Sequence, residues 1–304
     1  MQRRMLIGIV VGGCVALGAG LVVWAGTQGL FGPHGRAKRL MAIADHDLQH
    51  GQADEARASL EQLVATFPDS PLTDEALAKL GHVYEQQQQP AQARDTYHTL
   101  LERFPSSSHA GEAQAHLGAL NVTMLFSHKA VEGETVHEVK PGDTLGEIAQ
   151  GEGTTVEMIR RANNVSNDVI RPGQKLKIPQ GHFRIVVDKS QNRMLVTLNN
   201  QFFKLYSVST GKENSTPIGS FKIINKVPNP VWYHEGAAVP SGSADNVLGT
   251  RWMGLDKPSY GIHGTVDPDA IGQQVTAGCV RMSNSDVEEL FDIVPVGTEV
   301  TIVD

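Results

Sequence analysis

Cysteine is nearly absent from this chain, with two in 304 residues, Cys14 and Cys279. Cys14 lies inside an uncharged run, so Cys279 has no thiol partner on the rest of the chain, and a cysteine-rich zinc site is excluded. An excess of positive charge is missing too. Lys and Arg number 26 against 33 Asp and Glu, a net charge of -7, so there is no electrostatic footprint for nucleic acid. A lone free thiol in an oxidising compartment is a liability unless it has a task. Length 304 gives room for two or three domains of ordinary size.

Residues 5–25 read MLIGIVVGGCVALGAGLVVWA, a run without charge that follows Arg3 and Arg4. Such a run is long enough to span a bilayer as one helix, and the arginines hold its start in the cytoplasm. The expectation is a single-pass anchor in the cytoplasmic membrane, with the bulk of the chain in the periplasm or extracytoplasmic space. A cleaved signal peptide is the rival, although its apolar core is normally about 7–15 residues. Cys14 as a lipoprotein cysteine is opposed by the apolar sequence that continues through Leu21, Val22, Val23 and Trp24. Glycine-rich sequence follows, so residues 1–35 read as anchor and spacer.

Residues 36–126 carry a helical pattern that repeats every 37 residues. Ala56, Leu63, Phe67 and Pro68 recur as Ala93, Leu100, Phe104 and Pro105, and Leu80-Gly81 as Leu117-Gly118. Each Phe-Pro ends a helix, because proline disfavours helical geometry in the residue before it. Pro90 suits a first helical turn, where its missing N–H has no partner to lose. About two and a half units are present. They resemble tetratricopeptide helix pairs, and that resemblance implies a surface for a protein partner on residues 36–126. The alternative is a spacer that holds the remainder away from the membrane.

Residues 134–180 have a different rhythm. Val136–Val139 alternates as a strand, Asp143 is placed to cap a helix from Thr144, Thr154 with Glu157 forms a capping box for a second, and Asn163-Asn164 ends it. Leu176 and Ile178 alternate in a closing strand. This strand, helix, helix, strand order, with KPGDTL, ANN and IRPGQKLKIP, resembles the LysM module. The resemblance implies a small α+β unit that binds glycan containing N-acetylglucosamine through Gly142, Asp143 and Thr144 and the facing loop with Ile170 and Pro172. Taken singly, the glycine reads equally as a turn former and Ile170 as core.

From residue 182 to residue 304 the period is two, with strands at Phe183–Val187, Met194–Leu198 and Phe203–Val208 and a turn at Asn199-Asn200. These runs predict a mainly-β, sandwich-like domain with one short helix, Asp286–Val294, capped by Ser285 with Glu288. Trp232, Tyr233 and Trp252 read as cleft or core residues. Within the domain lies YGIHGTVDPDAIGQQVTAGCVRM, residues 260–282. His263 stands sixteen residues before Cys279. A thiol with a reference pKa of about 8.5 needs a base or a positive neighbour to act as a nucleophile. His263 is the candidate base. Gly278 permits backbone geometry that turns the Gly278 and Cys279 amides toward one point, as an oxyanion requires. A buried, inert Cys279 is the alternative on spacing alone.

That stretch, with VSTGK, STPIGSFKI and LGTRWMGL upstream in the same order, resembles the L,D-transpeptidase catalytic domain of the YkuD type. The resemblance implies a thioester acyl-enzyme on Cys279, His263 as proton donor and acceptor, and the Gly264 carbonyl orienting the imidazole. It also implies a peptidoglycan stem tetrapeptide as donor, release of D-alanine and a 3-3 cross-link. Arg281, Tyr260 and Thr276 fall at positions near substrate. Two departures stand out: Thr276 replaces a commoner serine and keeps the hydroxyl, and Ala277 replaces a commoner histidine. No metal or organic cofactor is expected. Water as acceptor makes an L,D-carboxypeptidase, a protein acceptor makes a wall-attaching enzyme, and loss of catalysis leaves a wall-binding scaffold.

Overall fold

The computed structural model describes residues 32–128, 134–234 and 236–304. The anchor expected over residues 5–25 lies outside the described residues. Among the described residues no helix is long and apolar enough to cross a membrane. The chain divides into two compact units, the first ending at Ala113 and the second running from Gln114 to Asp304.

The first unit is built from α1 (Pro33–Gln49), α2 (Ala53–Thr66), α3 (Thr73–Gln86) and α4 (Pro90–Arg103). The apolar stripes of α1, α2 and α3 meet in one core of Ala37, Met41, Ala44, Leu60, Leu63, Ala76, Leu80 and Val83, and α4 buries Ala93, Tyr97 and Leu100. The repeat seen in the sequence is a repeat of backbone. Phe67 closes α2 at φ -128°, ψ 57° and Phe104 closes α4 at φ -130°, ψ 57°, their amides bonding Leu63 O and Leu100 O, both at 2.8 Å. Tyr97 is buried, and its hydroxyl reaches Glu85 Oε1 at 2.7 Å.

A fifth helix, α5 (Ala110–Leu125), begins in the first unit and runs into the second. There follow β1 (Thr135–Glu138), α6 (Leu145–Gly151), α7 (Val156–Ala162) and β2 (Lys175–Ile178). β1 and β2 pair antiparallel, Thr135 with Ile178 through Glu138 with Lys175, over a core of Val139, Leu145, Ile148, Ala149, Ile159, Leu176 and Ile178. Both expected caps shift by one residue. Thr144 caps α6, its hydroxyl accepting from Glu147 N at 3.2 Å. Asp143 is already committed, its carboxylate accepting from Lys140 N and meeting His137 Nε2, each at 2.8 Å. Thr155, not Thr154, caps α7 by accepting from Met158 N at 3.1 Å.

The catalytic-motif region forms eight strands in one hydrogen-bonded order, in two halves that share β7 and one apolar core, in keeping with the mainly-β domain expected. Its strands are β3 (Phe183–Asp188), β4 (Arg193–Leu198), β5 (Gln201–Ser207), β7 (Gly219–Pro228), β10 (Arg251–Leu255), β11 (Gly261–His263), β13 (Val280–Arg281) and β14 (Glu299–Val303). Their order is β13-β11-β10-β7-β14-β3-β4-β5. The ten-residue β7 joins the halves, its first residues pairing with β14 and its later ones with β10. Beside the sheet, β6 (Thr210–Gly211) pairs with β12 (Gln274–Thr276), and β8 (Trp232–His234) with β9 (Ala237–Val239). Asn199 and Asn200 turn the β4–β5 hairpin at φ 52° and 65°, the left-handed pair that a two-residue hairpin favours.

One helix, α8 (Asn284–Ile293), sends Val287, Leu290 and Ile293 into the core with Ile185, Val196, Ile262, Val280 and Val300. Its cap is Ser283, accepting from Asp286 N at 3.1 Å. The box expected from Ser285 and Glu288 starts two residues late.

Candidate active site

Register places the motif. β11 and β13 run parallel, with Ile262 opposite Val280 and His263 opposite Arg281. Neighbours along a strand face opposite ways. Ile262 and Val280 are buried in the apolar core, so His263 and Arg281 share the other face. Cys279 sits one residue before Val280, in the bend that leads into β13. The far side of β13 is held by Ser209, which exchanges backbone bonds with Arg281 at 2.8 and 2.9 Å. The sixteen intervening residues are thus spent on a loop that brings β13 back beside β11.

His263 is buried, and its Nδ1 donates to Gly264 O at 2.7 Å. A carbonyl only accepts, so this bond fixes the neutral tautomer and leaves Nε2 with its lone pair. Burial pushes the imidazole pKa down to about 4, the Gly264 bond resists, and the nearby Arg281 charge lowers it further. Trp252 stacks along the ring at 6.0 Å and 22°.

Cys279 is half-buried, with Sγ 3.6 Å from Ser259 O. Burial pushes its thiol pKa up, while a bond from the Gly261 backbone and the Arg281 charge favour the thiolate. At rest, therefore, both the thiol and the imidazole are neutral. Arg281 is half-buried, and its Nε is buried with no hydrogen-bond partner among the described residues.

The turn before the thiol is built by Thr276. Its hydroxyl donates to Cys279 O at 2.7 Å and accepts from Gly278 N at 3.1 Å. The Gly278 amide, expected as an oxyanion donor, is therefore already engaged. Gly278 has φ 130°, and a Cβ there would lie 2.8 Å from the Tyr260 ring. Tyr260 thus packs against the nucleophile turn and the core. Ala277 is exposed.

Asn284, which the sequence reading passed over, organises the other side. Its Oδ1 accepts from Thr250 N at 3.2 Å and Thr265 N at 3.1 Å. A Cβ on Gly264 would come within 2.3 Å of that oxygen, so only glycine fits between them. Asn284 stands five residues after Cys279, among serines that read as helix caps. Its role comes from strand neighbours far away in sequence.

The aromatic residues separate. Trp252 lies against His263, whereas Trp232 stacks on His234 at 4.5 Å in the β8–β9 hairpin and Tyr233 is 77% exposed.

The glycan-site residues lie elsewhere in this unit. Gly142, Thr144 and Pro172 are exposed, Asp143 is tied to His137, and Ile170 packs on the small core. A cleft of about 580 Å³ in the same module is lined by Asn163, Asn164, Val165, Ser166, Asn167, Val169, Arg171 and Gln174. None of the five expected residues lines it, although Val169 and Arg171 flank Ile170.

Comparison with known proteins gives three family matches. Residues 182–302 match the L,D-transpeptidase catalytic domain, residues 137–179 the LysM domain and residues 47–117 a tetratricopeptide repeat. Bacillus subtilis YqjB, which carries the L,D-transpeptidase name, is 42% identical over 126 residues, 40% of this chain and 70% of its own length. YkuD of the same organism, likewise named, is 36% identical over 173 residues, covering 55% of this chain and 97% of its own. Among solved structures, an L,D-transpeptidase from Mycobacterium smegmatis aligns at TM-score 0.36 and 18% identity, over 43% of this chain and 64% of that one.

Proposed function

The chain belongs to the L,D-transpeptidase family, and from that premise we propose a cysteine acyltransferase that joins peptidoglycan stem peptides through a thioester. The observation that carries this reading is the parallel register of β11 and β13, which pairs His263 with Arg281, two residues after Cys279.

In this reading His263 acts as a general base. The lowered imidazole pKa and the raised thiol pKa oppose a standing ion pair. The proton therefore moves from Sγ to Nε2 as sulfur attacks the carbonyl between the third stem residue and D-alanine. The Gly264 carbonyl stabilises the imidazolium that forms, through the Nδ1 bond. The Cys279 amide faces the oxyanion, while Thr276 holds the Gly278 amide and the Cys279 carbonyl in place. One such donor is worth about 3–4 kcal/mol of barrier. His263 returns the proton to the departing D-alanine amine, leaving the thioester. An amine of a second stem then attacks it, and a 3-3 cross-link results. The Arg281 charge, felt by both His263 and Cys279, favours a substrate carboxylate near them.

The LysM match supplies peptidoglycan binding beside the chemistry. The uncharged run at 5–25 after Arg3 and Arg4 fits an enzyme held at the membrane with its bulk outside the cytoplasm.

The test is incubation of the full chain with disaccharide tetrapeptides and mass spectrometry of the products, with Cys279→Ala alongside. A dimer short of one D-alanine, absent with Cys279→Ala, is the expected result. Tripeptide alone would replace cross-linking with hydrolysis, and product from Cys279→Ala would remove the thiol from the mechanism.

A further inference from the structure

The LysM module is docked on the catalytic sheet. Met158 of α7 is 2% exposed and belongs to the apolar cluster of the sheet. The Arg161 guanidinium lies 3.8 Å over the Phe126 ring, and its Nη1 donates to Asp292 Oδ2 of α8 at 2.8 Å. Lys177 of β2 is buried, its Nζ donating to Met124 O at 2.9 Å and pairing with Glu134 at 2.8 Å. A buried cation, Lys177, a shared core residue, Met158, and the Arg161 pair with Asp292 fix an orientation, which a polar linker alone does not.

The residue beside Arg161 builds the cleft. Arg160 donates from Nε to Val165 O at 3.3 Å and from Nη2 to Ser166 O at 2.7 Å, and both acceptors line the cleft. Two adjacent arginines on one helix end therefore tie the cleft loop and the catalytic helix to the same turn of backbone. The same helix begins at Asn284, which holds the turn after His263.

A module on a flexible tether raises the local concentration of substrate over many spacings. A docked module does so at one spacing, without an ordering cost at each encounter. We propose that Arg161 is a specificity-determining residue, fixing the LysM cleft so that the enzyme selects stems carried at one spacing along a glycan strand seated in that cleft. This rests on the peptidoglycan reading above.

The test compares the full chain with Arg161→Ala, Asp292→Ala and Arg161→Lys. Turnover per stem is measured on soluble disaccharide tetrapeptides and on isolated glycan strands carrying the same stems. The wild type should favour strands by about tenfold or more. Arg161→Ala and Asp292→Ala should lose most of that preference through a raised KM on strands, with disaccharide turnover unchanged, and Arg161→Lys should regain part of it. Equal losses on both substrates, or a preference untouched by Arg161→Ala, would overturn the proposal. Hydrogen exchange with a hexamer of N-acetylglucosamine decides the coupling separately. The oligomer should slow exchange in both α7 and α8 of the wild type, and in Arg161→Ala only in the LysM module. Slowing confined to the LysM module of the wild type would sink the coupling even where turnover is intact. A wild type silent on both substrates but coupled in exchange would instead sink the cross-linking reading.

Discussion

Burial of His263 works against its own protonation, and this sets a pH dependence. The imidazole pKa is about 4 folded and about 6.5 unfolded. Between those values the unfolded chain binds more protons, so stability falls as pH drops from about 6.5 toward 4. The loss amounts to about 3 kcal/mol at about 1.4 kcal/mol per unit. His263→Gln, which keeps an amide donor for Gly264 O and does not titrate, should flatten this segment in denaturant melts at pH 6.5 and 4.5. An unchanged slope would mean that His263 is protonated in the folded state. At this scale the sequence was informative where chemistry is local. Cys279, His263 and Gly264 lie in one short stretch with their neighbours. The engagement of the Gly278 amide by Thr276 was not legible, because a hydroxyl two residues away can face either direction until the turn closes. Arg281 was visible as a cation, but its unpartnered Nε depends on what packs around it.

Elements were legible in kind and displaced in detail. The β3, β4, β5 and β14 strands and the helix pairs follow from periods of two and of 3.6, which side-chain geometry imposes directly. Caps slipped by one or two residues because each true cap has a polar neighbour with equal capacity to accept a hydrogen bond. Asp143 lost to Thr144 once His137 and Lys140 claimed its carboxylate. The joining of the two halves follows from β7, long enough to pair with β14 at one end and β10 at the other. No local pattern announces such sharing. Asn284 shows what an element's first residue can do beyond capping. Asn284→Ala removes the acceptor from Thr250 N and Thr265 N, and an unsatisfied buried donor costs about 1–3 kcal/mol. The expected outcome is a lower melting temperature together with a lower kcat, since the Gly264 carbonyl that orients His263 loses its backing. Asn284→Asp keeps the oxygen and should recover most of the stability at neutral pH. A kcat unaffected by Asn284→Ala would separate this clamp from the imidazole.

At the scale of the molecule, the half-repeat left over in the sequence has found a use. Val122 and Leu125 of α5 join the core of the sheet, and Asn121 Nδ2 reaches Phe202 O and Phe203 O at 3.3 and 2.9 Å. These carbonyls belong to β5, the edge strand, and an uncovered edge invites pairing with another chain. Asn121→Leu should lower the melting temperature by a few degrees and raise light scattering on heating; scattering equal to wild type would show the edge protected by other means. The 37-residue repeat revealed the helices but not this attachment, which joins residues some eighty positions apart. Distance along the chain has one more consequence, in time. β14 lies between β7 and β3 in the middle of the sheet, yet it is the last of the described strands to be synthesised. At about 5–20 residues per second, the ribosome delivers Cys279 before β14, the strand that lies between β7 and β3. The sheet that carries the nucleophile is thus complete only after the nucleophile itself has been made, once residues 299–303 pair with β7 and β3.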